Sequence, residues 1–315
     1  MASFSVGEAA TAGFGVIGRK PLAVLAWGLA MAVALAAPVY LLTWVMAPDL
    51  ASMMAMGERG GEPSDPQFFA QVMRIQSSMM LFQLLIWLWS TALRAVFCSA
   101  VFRVVLEPKE SRWAYLRLGP QEGWLTLLFL VEYVLAYIAC FVIVLLGVIV
   151  VAIVSVGAGG QATPTTVGTA IVVGLAALVL ILWVAIKLSM AAPMTFAHRQ
   201  FRLFESWNFT RGHVGKLVGV GLLLVIFLIG IEVLFGALAL GGVFALGGSM
   251  SWLFQPGALQ DLVREPPMEI VRKLGPAITV VGTLMIVFST IVTTVFCAPW
   301  AVAYKGLRGE AEALA

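Results

Sequence analysis

The sequence predicts an all-α polytopic membrane protein: six transmembrane helices forming three hairpin repeats, each preceded by a cytoplasmic interfacial elbow helix. Three observations carry this expectation. Of 315 residues, 61% are hydrophobic and 11% charged, whereas a soluble domain carries about 25% charged residues. A soluble fold of this length cannot cover so much apolar surface. Six apolar runs each reach the roughly 20 helical residues that cross a hydrocarbon core. Short aromatic and basic segments precede alternate runs.

The runs lie at about 21–47, 79–106, 124–156, 167–196, 217–247 and 275–304. The first, "RKPLAVLAWGLAMAVALAAP", imitates a signal peptide. It is read as a span because the apolar run continues through "VYLLTWVMA". Cations mark one side of the set. Arg19 and Lys20 precede the first run, and Arg103, Lys109, Arg112 and Arg117 follow the second. His198, Arg199, Arg202, Arg211, His213 and Lys216 follow the fourth, and Lys305 and Arg308 the sixth. The opposite loops are mixed, acidic or uncharged, so the positive-inside rule places both termini in the cytoplasm of a bacterial inner membrane protein. The chain is read as a single integral membrane domain, 1–315, with units at about 4–106, 111–196 and 201–305.

The repeat rests on the inner ends of the returning runs. "RAVFCSAVF" (94–102), "KLSMAAPMT" (187–195) and "TTVFCAPWA" (293–301) align without gaps. One column then holds Cys98, Ala191 and Cys297, another Arg94, Lys187 and Thr293. The elbows are expected at Ser5–Ile17, about Ser111–Leu118 and about Gln200–Thr210. Ser5 with Glu8 forms a capping-box pattern, and Val6, Ala10, Phe14 and Ile17 share a helical face. Amphipathic helices are also expected near 66–78 and 258–274, in the longer outer loops.

The elbow cations and aromatics suit anionic headgroups and the acyl boundary. The expected headgroup contacts are Arg112, Arg117, Arg202, Trp207, Arg211, His213 and Lys216. Trp44, Trp113, Trp124 and Trp300 read as further boundary anchors. Pro193 and Pro299 are expected to end helices at the headgroups, with a hinge as the alternative.

Four charges fall within the runs: Arg94, Glu132, Lys187 and Glu232. Each costs roughly 2.5–3.5 kcal/mol at a helix centre if unpaired. Glu132 and Lys187 count to similar depths, about 12–15 Å from the cytoplasmic edge at 1.5 Å per residue, and are expected to pair. The alternative is a polar path or anion site. If the returning helices line the axis, Arg94, Lys187 and Thr293 converge there. If the outgoing helices do, Glu132 and Glu232 neutralise the cations. The sequence leaves both open.

"APMTFAHRQFRLFESWNFTRGHVGKLVGVGLLL", with Ser206, Trp207, Thr210, Arg211 and Gly212, resembles a short motif of one family. So does the opening "FSVGEAATAGFGVIGRKP". The family is the membrane domain of bacterial glycerophosphoryl diester phosphodiesterases, with its related stand-alone six-helix inner-membrane proteins. These 315 residues contain no soluble phosphodiesterase domain, so the resemblance implies location and lipid context rather than catalysis.

Chemistry has little to work with. The two histidines, His198 and His213, sit in one elbow, and no Walker A, dinucleotide, GxSxG or HExxH pattern occurs. Cys98, Cys140 and Cys297 lie in apolar runs, so neither a zinc site nor a disulfide framework is expected; Cys98 and Cys297 read as small packing positions. No enzyme activity, cofactor or metal is expected. A formal net charge of +3 gives nucleic acid no foothold. The expected function is accessory, assembly or lipid-handling, with transport of an anionic or amphiphilic solute as the alternative and lipid phosphodiester chemistry below it. Membrane lipids are the expected partners, with another membrane protein or a second copy as the candidates for a protein partner.

Overall fold

A computed structural model describes residues 4–58, 66–109, 112–161, 163–245, 255 and 267–314. It is helical, with no strand among the described residues. The helices are α1 Val6–Arg19, α2 Pro21–Glu58, α3 Pro66–Leu106, α4 Pro120–Gly157, α5 Pro164–Leu188, α6 Ala191–His198, α7 Glu205–Phe209, α8 Val214–Ala245 and α9 Pro267–Leu314. Six stretches, within Pro21–Leu42, Val72–Leu106, Arg112–Gly157, Pro164–His198, Val214–Gly242 and Arg272–Gly309, are long and apolar enough to cross a membrane.

Local chemistry explains most boundaries. At the start of α1 the Ser5 hydroxyl accepts the Glu8 amide at 3.0 Å, satisfying a donor the helix cannot. Lys20 leaves the helical region, and Pro21 opens α2 as a first-turn proline. Thr163 and Thr166 cap α5 reciprocally. Pro193 cannot bond the Ser189 carbonyl four residues back. The fourth run accordingly breaks at Ser189–Met190 into α5 and α6. Pro299 behaves otherwise: α9 runs through it to Leu314 instead of ending there. The amphipathic stretch near 66–78 is the first part of α3, not a separate helix. Most of the stretch expected near 258–274 lies outside the described residues.

The segment after α3 also departs from expectation. Arg112–Tyr115 forms a single 3-10-type turn in which Trp113, Ala114 and Tyr115 have φ of 55°, 53° and 66°. Left-handed geometry costs roughly 1–2 kcal/mol per non-glycine residue, so specific partners must hold it. Of the stretch expected around Gln200–Thr210, only Glu205–Phe209 is helical.

Packing concentrates at the end of the molecule that carries Arg19, Arg103, His198 and Lys216. The buried side chains of α4 are Gln121, Glu122, Leu125 and Leu128, all within its first turns. From Ile138 to Val156 α4 exposes large apolar side chains. Helix α1 lies in this basic end against α8 and α9, with Ala9, Ala10, Gly13 and Val16 buried. A Cβ on Gly13 would collide with the Val295 backbone, whereas one on Gly7 would meet nothing within 4 Å. The substitution Gly13→Ala is therefore expected to lower stability by about 1–3 kcal/mol through overpacking. Gly7→Ala should be neutral or raise it by about 0.5–1 kcal/mol. Thermal unfolding in detergent would separate the two.

Candidate functional site

The three returning segments meet at the basic end. Ala95, Cys98 and Phe102 of α3, Ala191 and Thr195 of α6, and Thr294, Cys297 and Ala301 of α9 are all buried. Their spacings of three and four residues define one face on each helix. Cys98, Ala191 and Cys297, aligned in one column by sequence, belong to a single hydrophobic cluster. Small side chains at these positions let helices approach closely, which is how association is driven where lipid removes the hydrophobic incentive. The two cysteines are more than packing residues: they form a disulfide between α3 and α9, with Cα atoms 6.0 Å apart. Counting cysteines in polar loops could not reveal it, because convergence of two distant helices creates the pairing.

Hydroxyls at this junction are turned back onto backbone. Thr91, Thr290 and Thr294 donate to the carbonyls of Trp87, Ile286 and Thr290, each at 2.8 Å. Thr195 accepts the Arg202 amide at 3.1 Å. Ser99 has no hydroxyl partner. Thr91, Thr290 and Thr294 are thus satisfied inside their own helices and Thr195 by the loop that follows its helix.

Arg103, which the sequence places among the flanking cations, is instead almost completely buried. Its guanidinium makes an ion pair with Glu122 and donates to the Tyr115 carbonyl. It also donates to Gln121 Oε1 at 3.2 Å and lies 5.5 Å over the Phe196 ring. Gln121 Nε2 donates in turn to the Phe196 carbonyl at 3.4 Å. Trp27 of α2 donates to the Ala114 carbonyl at 2.7 Å. Two buried donors thus seize consecutive carbonyls of the left-handed turn, which is why 112–115 cannot continue as a right-handed elbow helix. No spacing in the sequence signals this cluster. Arg103 and Phe196 do share a column when the repeat alignment is extended by one or more residues.

The other charges are dispersed. Arg94 is exposed and its guanidinium lies 5.5 Å over Tyr133 of α4. Glu132 is half-buried and Glu232 exposed. Among the described residues no ion pair contains Arg94, Glu132, Lys187 or Glu232, so the expected Glu132–Lys187 pair is not made. The faces around 95, 98 and 102 on α3 and around 294, 297 and 301 on α9 point inward, leaving Arg94 exposed and Thr293 half-buried, while Lys187 packs against Trp207.

Lys187 ends near the last turn of α5 with its side chain buried. Its ammonium lies 5.8 Å over the Trp207 ring, and its carbonyl accepts the Ser206 hydroxyl at 2.8 Å. Trp207 packs edge-on against Trp183, centroids 4.8 Å apart. Lys187 is thus level with α7.

Of the expected headgroup residues, Arg112 and Arg211 are exposed, while Arg117, Arg202 and Trp207 are half-covered. His213 Nδ1 lies 3.2 Å from the Arg211 carbonyl, and the Lys216 ammonium 5.6 Å over Phe4. His198 meets the Tyr304 hydroxyl at 3.2 Å. Among the described residues no three His, Cys, Asp or Glu side chains group as a metal site. Comparison with family models, curated proteins and solved structures returns no match.

The Arg103–Glu122 pair sets a double-mutant test. Arg103→Met alone should destabilise the protein by about 3–5 kcal/mol, since it strands a buried carboxylate. Adding Glu122→Gln should recover much of the loss. Denaturation midpoints that add without recovery would show the two groups to be uncoupled.

Proposed function

We propose that this chain is a non-enzymatic lipid-handling protein of a bacterial inner membrane, with both termini cytoplasmic. In this reading three hairpin units, α2–α3, α4–α5 and α8–α9, stand around a pseudo-threefold axis along the membrane normal. The segment α1, the turn at 112–115 and the α7 region are their elbows at the cytoplasmic surface. The meeting of Cys98, Ala191 and Cys297 in one cluster supports the repeat. The recurrence of cations at the same end supports the orientation. The likeness of the 192–224 stretch to the phosphodiesterase-associated membrane domain is consistent with a lipid context.

One observation carries the function: the closed, apolar junction of the returning helices. A conducting path needs polar groups facing a common space. Here the facing groups are mostly alanines, cysteines and aromatic rings; Thr290 and Thr294 bond their own helices, Thr195 bonds the Arg202 amide, and Ser99 is the one buried unpartnered hydroxyl among the described residues. Beyond the junction, α4 and α5 offer lipid-facing apolar surface over most of their length. Closed inside and open to lipid outside, the molecule is suited to holding lipid rather than passing solute.

Vesicles of phosphatidylethanolamine and phosphatidylglycerol containing the reconstituted chain are expected to leak chloride, phosphate and carboxyfluorescein no faster than protein-free vesicles. Native mass spectrometry of the same protein should show phospholipid adducts that survive detergent exchange. Saturable solute flux with no retained lipid would reverse the assignment.

A further inference from the structure

We infer that Lys187, Trp207 and the outer face of α5 form a binding site for one anionic phospholipid. This rests on the lipid-handling reading and gives it a place and a headgroup charge. Lys187 is only 7% exposed, yet its ammonium is not fully enclosed and so keeps access to the surface. Among the described residues its ammonium has no carboxylate and no hydrogen-bond acceptor; its charge faces the Trp207 ring alone. A cation–π contact of that kind contributes about 0.5–2 kcal/mol, which only partly balances a cation so largely covered at the edge of an apolar helix. An anion supplied from outside the chain would complete it.

The apolar part of the ligand follows from helix spacing. Ala176, Val179, Leu180 and Trp183 line an open trough of roughly 450 Å³ on α5. Lys187 is one turn beyond Trp183 on the same face, and the two are joined through Trp207. From Ala176 to Lys187 the face runs about 16 Å at 1.5 Å per residue. An acyl chain laid along it brings its phosphate to the ammonium, with two tryptophans at headgroup level. Inorganic phosphate would satisfy the charge but would leave the trough empty, so a lipid is the occupant.

The test is native mass spectrometry of the full chain in detergent, titrated with dioleoyl phosphatidylglycerol or dioleoyl phosphatidylcholine. The wild type should retain the anionic lipid about fivefold better, as expected from about 1 kcal/mol per interfacial cation. Lys187→Gln should abolish that preference while leaving phosphatidylcholine retention unchanged, and Lys187→Arg should restore it. Ala176→Phe, which fills the trough without touching the charge, should reduce retention of both lipids. An unchanged preference in a folded Lys187→Gln protein would overturn the site. So would Lys187→Arg failing to restore the preference, or millimolar inorganic phosphate displacing the lipid. Should Lys187→Gln lose the preference in a protein that nonetheless shows solute flux, the site stands and the lipid-handling function falls.

Discussion

The buried ion pair between Arg103 and Glu122 is the interaction on which the basic end depends. A guanidinium out of water is tolerable only if its donors are met. Both terminal nitrogens are met while Nε is left without a partner, and meeting them ties together four pieces of chain: the end of α3, the left-handed turn at 112–115, the first turn of α4 and the ring of Phe196 on α6. The turn has no intrinsic reason to be left-handed. It holds because Arg103 and Trp27 each claim one of its carbonyls. The start of α4 is then fixed against α3, and the second returning segment against both. A buried pair of this sort adds little net stability over apolar residues of the same volume. Its effect is to make other arrangements of these segments expensive.

Around that pair the helices are joined by shape. Gly13 lets α1 lie on the α9 backbone, and Ala95, Ala191, Ala298 and Ala301 let α3, α6 and α9 converge. The Cys98–Cys297 bond closes the same junction covalently. The outer stretches of α4 and α5 meet at Gly147, where a Cβ would press on Val173, and otherwise present exposed apolar surface. A tightly packed end and a remainder with exposed apolar surface follow from where the small residues and the ion pair lie along the chain.

Much of the architecture was legible in the sequence because long apolar runs and helix caps are local signals. The six candidate spans and the Ser5 cap needed only neighbouring residues. The column of Cys98, Ala191 and Cys297 was also legible, since the three segments align without gaps. What the sequence hid was relational. Arg103 reads like any cation after an apolar run, and its burial depends on Glu122, Tyr115 and Phe196 arriving from elsewhere. The disulfide required knowing that two helices meet. The Glu132–Lys187 pair was expected from residue counting, but the Lys187 ammonium lies over Trp207 instead. Alignment put Arg94, Lys187 and Thr293 in one column, but their surroundings differ: Arg94 is exposed, Lys187 buried and Thr293 half-buried.

The account turns on whether the junction is closed to water, and residue 191 reports on this most directly. A single cysteine at Ala191, with Cys98, Cys140 and Cys297 replaced by alanine, can be challenged in intact vesicles with a charged methanethiosulfonate reagent from each side. A cysteine at the exposed position of Phe204 serves as the reactive control. The account predicts that position 191 resists the reagent from both sides while position 204 is modified. Modification at 191 as rapid as at 204 would mean that water reaches the junction, and the closed core would be contradicted.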